Sequence, residues 1–193
     1  MKFRMLAVAA AMALSASAHA TGWSWSDNFD ANAGALNAVP AGWSISNGGT
    51  VDIIPEGGQF NFLPGNGEFI DLDGSTGKAG DLSQTIAGPS AGWYNLTFQL
   101  AGNMRGGGTE TVDVTFGGVT HTYFPTDTSN TWITVSGYTA DGNLTMTFYD
   151  HSADNVGALL DNVTVTAVPE AGNAAMLLAG LAALGIAARR RRA

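Results

Sequence analysis

Tyr94, Leu96, Phe98 and Leu100 alternate with Trp93, Asn95, Thr97 and Gln99, and Leu144, Met146 and Phe148 alternate with Thr145, Thr147 and Tyr149. Successive side chains of a strand point to opposite sides of its sheet, so an apolar residue at every second position marks a strand with one face in a core. Shorter stretches of the same kind predict strands over 50–54, 59–63, 68–72, 82–86, 111–116, 119–124, 132–136 and 160–166. Turn signals part them at short intervals: Asn47-Gly48-Gly49, Pro55-Glu56-Gly57-Gly58, Pro64-Gly65-Asn66-Gly67, Asp73-Gly74, Gly106-Gly107-Gly108, Gly117-Gly118 and Asp141-Gly142. No segment between 21 and 167 carries a helical stripe longer than a turn or two. Short strands and turns this regular predict an all-β domain, an antiparallel sandwich of the jelly-roll kind.

The two ends of the chain follow other patterns. Lys2 and Arg4 precede a short apolar stretch, and Ala18-His19-Ala20 is a small-x-small cleavage site, so residues 1–20 read as a secretory signal peptide cut after Ala20. At the other end Val168-Pro169-Glu170 leads into an apolar run over 171–188, closed by Arg189, Arg190, Arg191 and Arg192. A helix over that run rises roughly 27 Å at about 1.5 Å per residue, close to the thickness of a bilayer's hydrocarbon core. The arginines mark its cytoplasmic end, which puts residues 21–167 outside the cytoplasm as one domain. Asn173 and the alanine-rich composition make the span only moderately hydrophobic, which suits a temporary insertion better than a permanent anchor.

Charge narrows the function classes. The chain carries 8 basic and 16 acidic residues. Setting aside the basic groups of the two ends and Glu170 leaves Lys78 and Arg105 against 15 carboxylates, a domain charge of about −13. Clustered Lys and Arg, which a phosphate backbone requires, are missing, so nucleic acid is excluded as a partner. There is no cysteine, which removes disulfides, thiol nucleophiles and thiolate metal sites. Such an exported domain depends on its core, with a bound cation as a possible aid.

The C-terminal order of motif, span and arginine cluster resembles the PEP-CTERM sorting signal of Gram-negative bacteria that make exopolysaccharide, with Ala171 where a second proline is usual. The resemblance implies recognition at the inner membrane by an exosortase, then residence at the cell surface or in the extracellular matrix. Across 22–166, Asn28-Phe29-Asp30, Pro40-Ala41-Gly42-Trp43, Asp71-Leu72-Asp73-Gly74, Leu82-Ser83-Gln84-Thr85, Leu100-Ala101-Gly102-Asn103 and Leu160-Asp161-Asn162-Val163 resemble in their order the choice-of-anchor C family, a galactose-binding-domain-like jelly roll related to carbohydrate-binding modules. The resemblance implies no catalytic activity. It also implies a structural calcium ion near the first and last strands, held by Asp30 and Asp161, and the Asn28 amide is an oxygen donor suited to join them. The same carboxylates equally suit capping of turns. Asp71, Asp73 and Asp81 make at most a weak second calcium loop, lacking the remaining oxygen positions of an EF-hand.

Extracellular carbohydrate is the expected partner, because sugar sites combine aromatic faces with a few amides and carboxylates. Asn103, Arg105 and Asp154, placed in loops, and Tyr149 beside the 150–156 loop are the candidate contacts, whereas Trp43 and Trp93 read as packing residues. The rival readings are a structural matrix component without a small ligand and a secreted glycoside hydrolase. Asp150-His151-Ser152 contains the residue types of a hydrolase triad, but no Gly-x-Ser-x-Gly elbow accompanies it, and His151 reads as a loop residue.

Overall fold

Period-two alternation becomes eleven strands in the computed structural model, which describes residues 22–88, 90–106, 108–168 and 180–181. In chain order they are β1 (Ser24–Asp27), β2 (Ser44–Ser46), β3 (Asp52–Ile54), β4 (Phe69–Asp71), β5 (Asp81–Ala87), β6 (Gly92–Ala101), β7 (Val112–Phe116), β8 (Val119–Tyr123), β9 (Asn130–Thr139), β10 (Asn143–Asp150) and β11 (Leu159–Ala167). One sheet runs β3-β4-β11-β6-β9, with β1 also on β11; the other runs β2-β5-β10-β7-β8. Every pairing is antiparallel. The chain changes sheet at each connection from β4 to β11 except the β7–β8 hairpin, and the resulting quartets β4-β11-β6-β9 and β5-β10-β7-β8 are the strand order of a jelly roll. All eleven strands belong to one compact unit, Trp23–Val168.

The inner faces meet in one large core. Phe98 of β6 lies edge-on to Phe148 of β10 with ring centroids 5.1 Å apart, joining the two sheets. Trp43 packs on Phe29 (5.6 Å) and Phe148 (6.1 Å), and its indole N–H donates to Asp27 Oδ2 at 2.8 Å. Tyr94 enters the core as its hydroxyl donates to the Ser90 carbonyl at 2.7 Å, so the buried phenol keeps a partner. The β7–β8 turn packs tightly against β9: a side chain on Gly117, whose φ is +58°, would stand 2.6 Å from the Gly137 Cα, so both positions exclude a Cβ.

Two short strands, β1 and β2, were not legible in the alternation, and one expectation fails. Residues 59–63 form turns rather than a strand. The Glu56 carboxylate holds this segment, accepting bonds from Asn61 Nδ2 and from the Gly65 and Gly67 amides. Phe62 and Leu63 then pack into a small second cluster with Ile54, Phe69 and Leu159. The signal peptide with Ala18 and Ala20, and the tail residues Pro169, Glu170 and Arg189 to Arg192 with most of the 171–188 span, lie outside the described residues. No helix among the described residues is long and apolar enough to cross a membrane.

Candidate functional site

Three of the four predicted ligand contacts gather at one end of the sandwich, where the β4–β5, β6–β7 and β10–β11 connections meet. The Arg105 guanidinium pairs with Asp71 Oδ2 and reaches the Asn155 carbonyl at 3.1 Å. Asn103 is fully buried; its amide donates to Glu110 Oε1 and its carbonyl oxygen accepts the Arg105 N–H at 2.8 Å. Asp154 is exposed, but its backbone N–H and that of Asn155 both donate to Asp73 Oδ2, while the Gly157 N–H donates to Asp71 Oδ1 at 3.0 Å. Asp150 is buried too, capping the 151–158 loop by accepting from the Ser152 and Ala158 amides. These polar groups fasten loops to one another. Burial pushes the Asp71 carboxyl up to about 7 against the pull of Arg105, and raises Glu110 and Asp150 as well, with the charge of Asp73 adding to both.

Tyr149 stands apart from them. It faces outward on the other sheet, opposite Asp113, and its ring lies 4.6 Å from that of His151. His151 Nε2 is 2.8 Å from Asp113 Oδ2, so its partner is on β7 and not in Asp150 or Ser152; the triad types do not converge. Two hydrogen bonds, the larger effect from Thr122 and the next from His151, hold the Asp113 carboxyl below its usual range.

Near the chain's entry into the sandwich, β1 lies along β11. Asn28 Nδ2 donates to Asp30 Oδ2, and Asp30 Oδ1 accepts the Glu68 N–H at 2.9 Å. Asp161 is buried at the start of a bulge in β11, where Asn162 takes a φ of +52° and donates to it from backbone and side chain. Burial first, and then the charges of Asp30 and Asp27, raise the Asp161 carboxyl to about 7. The donors are oxygens of the kind calcium takes, and electrostatic influence joins Asp161 to Asp30. Among the described residues, no group of three or more His, Asp or Glu side chains already has metal-holding geometry.

The surface with the clearest ligand chemistry is one the sequence did not single out. Register puts Trp93, Asn95, Thr97 and Gln99 of β6 beside Tyr138, Ser136, Thr134 and Trp132 of β9. Thr166 and Thr164 of β11 continue this outer face, followed by Ser24 and Ser26 of β1. No charged side chain is among these twelve positions; Asp161, which the register sets opposite Gln99, is buried, as is Gln99 itself. Trp93, Trp132 and Tyr138 are 54%, 59% and 49% exposed, which corrects the reading of Trp93 as a packing residue: it falls on the outward phase of β6. Trp93 and Tyr138 form an edge-to-face pair 5.6 Å apart. Trp132 lies six residues back along β9, roughly 20 Å away at about 3.4 Å per residue. Between these aromatic ends, hydroxyls and amides are held in place by one another: Thr97 with Thr134 (2.9 Å), Ser136 to Asn95 (2.7 Å), Gln99 to Asn130 (2.7 Å) and Asn162 to Gln99 (3.0 Å). Alternation carries the outward phase of each strand, Trp93 with Asn95 and Trp132 with Thr134, but not the register that joins them.

No family model and no curated protein matches this sequence. The fold is similar to the family 35 carbohydrate binding module from Clostridium thermocellum (16% identity over 75% of this chain and 98% of that one, TM-score 0.45) and to CBM35 from Paenibacillus barcinonensis (16%, 71% and 100%, TM-score 0.44). It is also similar to the GH26-CBM35 β-(1,4)-mannanase of Podospora anserina (14%, 77% and 29%, TM-score 0.43). The chain spans 29% of that mannanase and 18% of a Paenibacillus cycloisomaltooligosaccharide glucanotransferase that it also resembles in form.

Proposed function

We propose that this chain is an exported, non-catalytic β-sandwich that binds a neutral extracellular polysaccharide on the outer face of β1, β11, β6 and β9. One observation carries the reading: an uncharged surface of hydroxyls and amides, with exposed indole and phenol rings at its two ends, on a domain of about −13. Aromatic faces stack on the apolar side of sugar rings and fixed amides orient hydroxyls. A strip of roughly 20 Å suits an extended oligomer rather than one ring. The acidic surroundings disfavour uronic-acid or sulfated chains by like-charge repulsion.

The delivery route belongs to the same proposal. Residues 1–20 direct export, and the 168–193 tail holds the chain in the inner membrane of a Gram-negative cell until an exosortase releases it to the surface or matrix. A glycan array on residues 22–168 tests the binding function. Saturable binding to neutral chains is expected, weakened by about tenfold or more in Trp132→Ala. Silence across neutral glycans would leave the ligand-free matrix component, a reading favoured by the way the face's hydroxyls already pair with one another.

Calcium is the proposed structural ion, and Asn28, Asp30 and Asp161 would hold it, tying the first strand to the last. Its contribution there would be to neutralise the buried Asp161 carboxylate together with the exposed Asp30. At calcium well above its dissociation constant, the melting temperature is expected to exceed that in chelator by about 5 °C or more. Asp161→Asn should abolish the difference, and equal melting of the wild type in both conditions counts against the ion.

A further inference from the structure

We infer that the free edge of β9 pairs antiparallel with the same edge of a second copy of this chain. A strand at the side of a sheet presents unpaired N–H and C=O groups, and proteins blunt such edges with shortness, charge, proline or cover. The other edges here are blunted. β3 and β2 have three residues each, and the Ile53 amide and carbonyl are already bonded to Ala35. β1 has four residues and ends in Asp27; β8 has five and carries His121. β9 has ten, without a charge or a proline, and among the described residues no backbone group of 130–138 is hydrogen-bonded to anything beyond β6.

The β7–β8 turn comes against Gly137 and the Tyr138 amide, which leaves 130–136 as the open stretch. A groove of about 330 Å³ opens beside it, lined by Leu100, Tyr123, Phe124 and Ile133, with Phe124 65% exposed. Apolar surface flanking an unpaired strand is interface chemistry.

Electrostatics select the occupant. With a domain charge of about −13, two copies repel over most of their surfaces, but strands β6 and β9 together hold no charged residue. The edge of β9 is therefore where one copy tolerates another, and neutral strand meets neutral strand. Isologous pairing over seven residues supplies about seven backbone hydrogen bonds, within the range of an ordinary protein interface. The larger sheet then continues across the two-fold axis. Its uncharged outer faces lie side by side, an arrangement that favours multivalent attachment to any repeating ligand without depending on one.

Sedimentation equilibrium of the compact unit, residues 23–168, decides the matter. The wild type is expected to form a dimer, with amide exchange at 130–136 slowing as concentration rises. Thr131→Glu and Thr134→Glu, both at exposed positions, put a carboxylate from each copy into the neutral seam and should weaken association by about tenfold or more while leaving the circular dichroism unchanged. A wild type that stays monomeric to millimolar concentration overturns the inference, and so does a dimer that keeps its affinity in both glutamate variants.

Discussion

Phe148→Ala is expected to lower the unfolding free energy by about 4 kcal/mol, a large part of what a domain this size possesses. Phe148 is fully buried at the middle of β10, paired on one side with Leu82 of β5 and on the other with Val114 of β7. Its ring spans the gap between the sheets, edge-on to Phe98 and within 6.1 Å of Trp43. The alanine variant loses the transfer energy of the ring and leaves a cavity that neither sheet can close alone, because each is fixed by its own ladder. With no disulfide to hold the chain, that loss has no covalent offset. Denaturant unfolding of residues 22–168 measures it; a change under about 1 kcal/mol would mean that the sheets are not joined through this ring.

Where alternation was strong, the strands came out nearly where it put them. β6 and β10 bury Tyr94, Leu96 and Phe98, and Leu144, Met146 and Phe148, on the inward phase and leave the other at least partly exposed, except from Gln99 to the end of β6. β1 and β2 escaped because Ser-Trp-Ser and Ser-Ile-Ser are too short to show a period, and their partners β11 and β5 lie far away in sequence. The segment 59–63 misled in the opposite sense: its apolar residues serve a turn held by Glu56, a long-range contact that local pattern does not carry. The loop residues Asn103, Arg105 and Asp154 meet at one end of the sandwich while Tyr149 lies on the other sheet, and two of the three are framework, since Asn103 is buried and Arg105 is spent on Asp71. What sequence could not supply is register. Only the pairing of β6 with β9 brings Trp93 next to Tyr138 and sets Trp132 at the far end of one polar strip.

Arg105→Ala should cost about 3 kcal/mol at about pH 8 and less at about pH 5. Asp71 is almost completely buried, and Arg105 is the cation that answers it; removing the guanidinium leaves a carboxylate in a low-dielectric site, with Asp52 adding repulsion. The pH dependence follows from the direction of the shift. Asp71 titrates at about 7 in the folded chain against 3.8 when free, so between those values the folded state holds a proton that the unfolded state has released. Its contribution is full below the lower value and is lost as pH rises through the upper one, which makes the wild type more stable at about pH 5 than at about pH 8, by on the order of 2 kcal/mol. Burial of Asp161, likewise raised to about 7, and of Glu110 and Asp150 pushes the same way, whereas the lowered Asp113 and Asp141 act only in more acidic solution. Without Arg105 the Asp71 carboxyl moves higher still, so the variant's stability falls more steeply over the same interval. Asp71→Asn removes one of the two carboxyls that titrate at about 7 and should make the profile shallower, the remaining slope belonging to Asp161. Denaturant melts of the three proteins in chelator across this range test the scheme, and a wild-type stability that climbs toward about pH 8 would show that Asp71 stays charged in the fold.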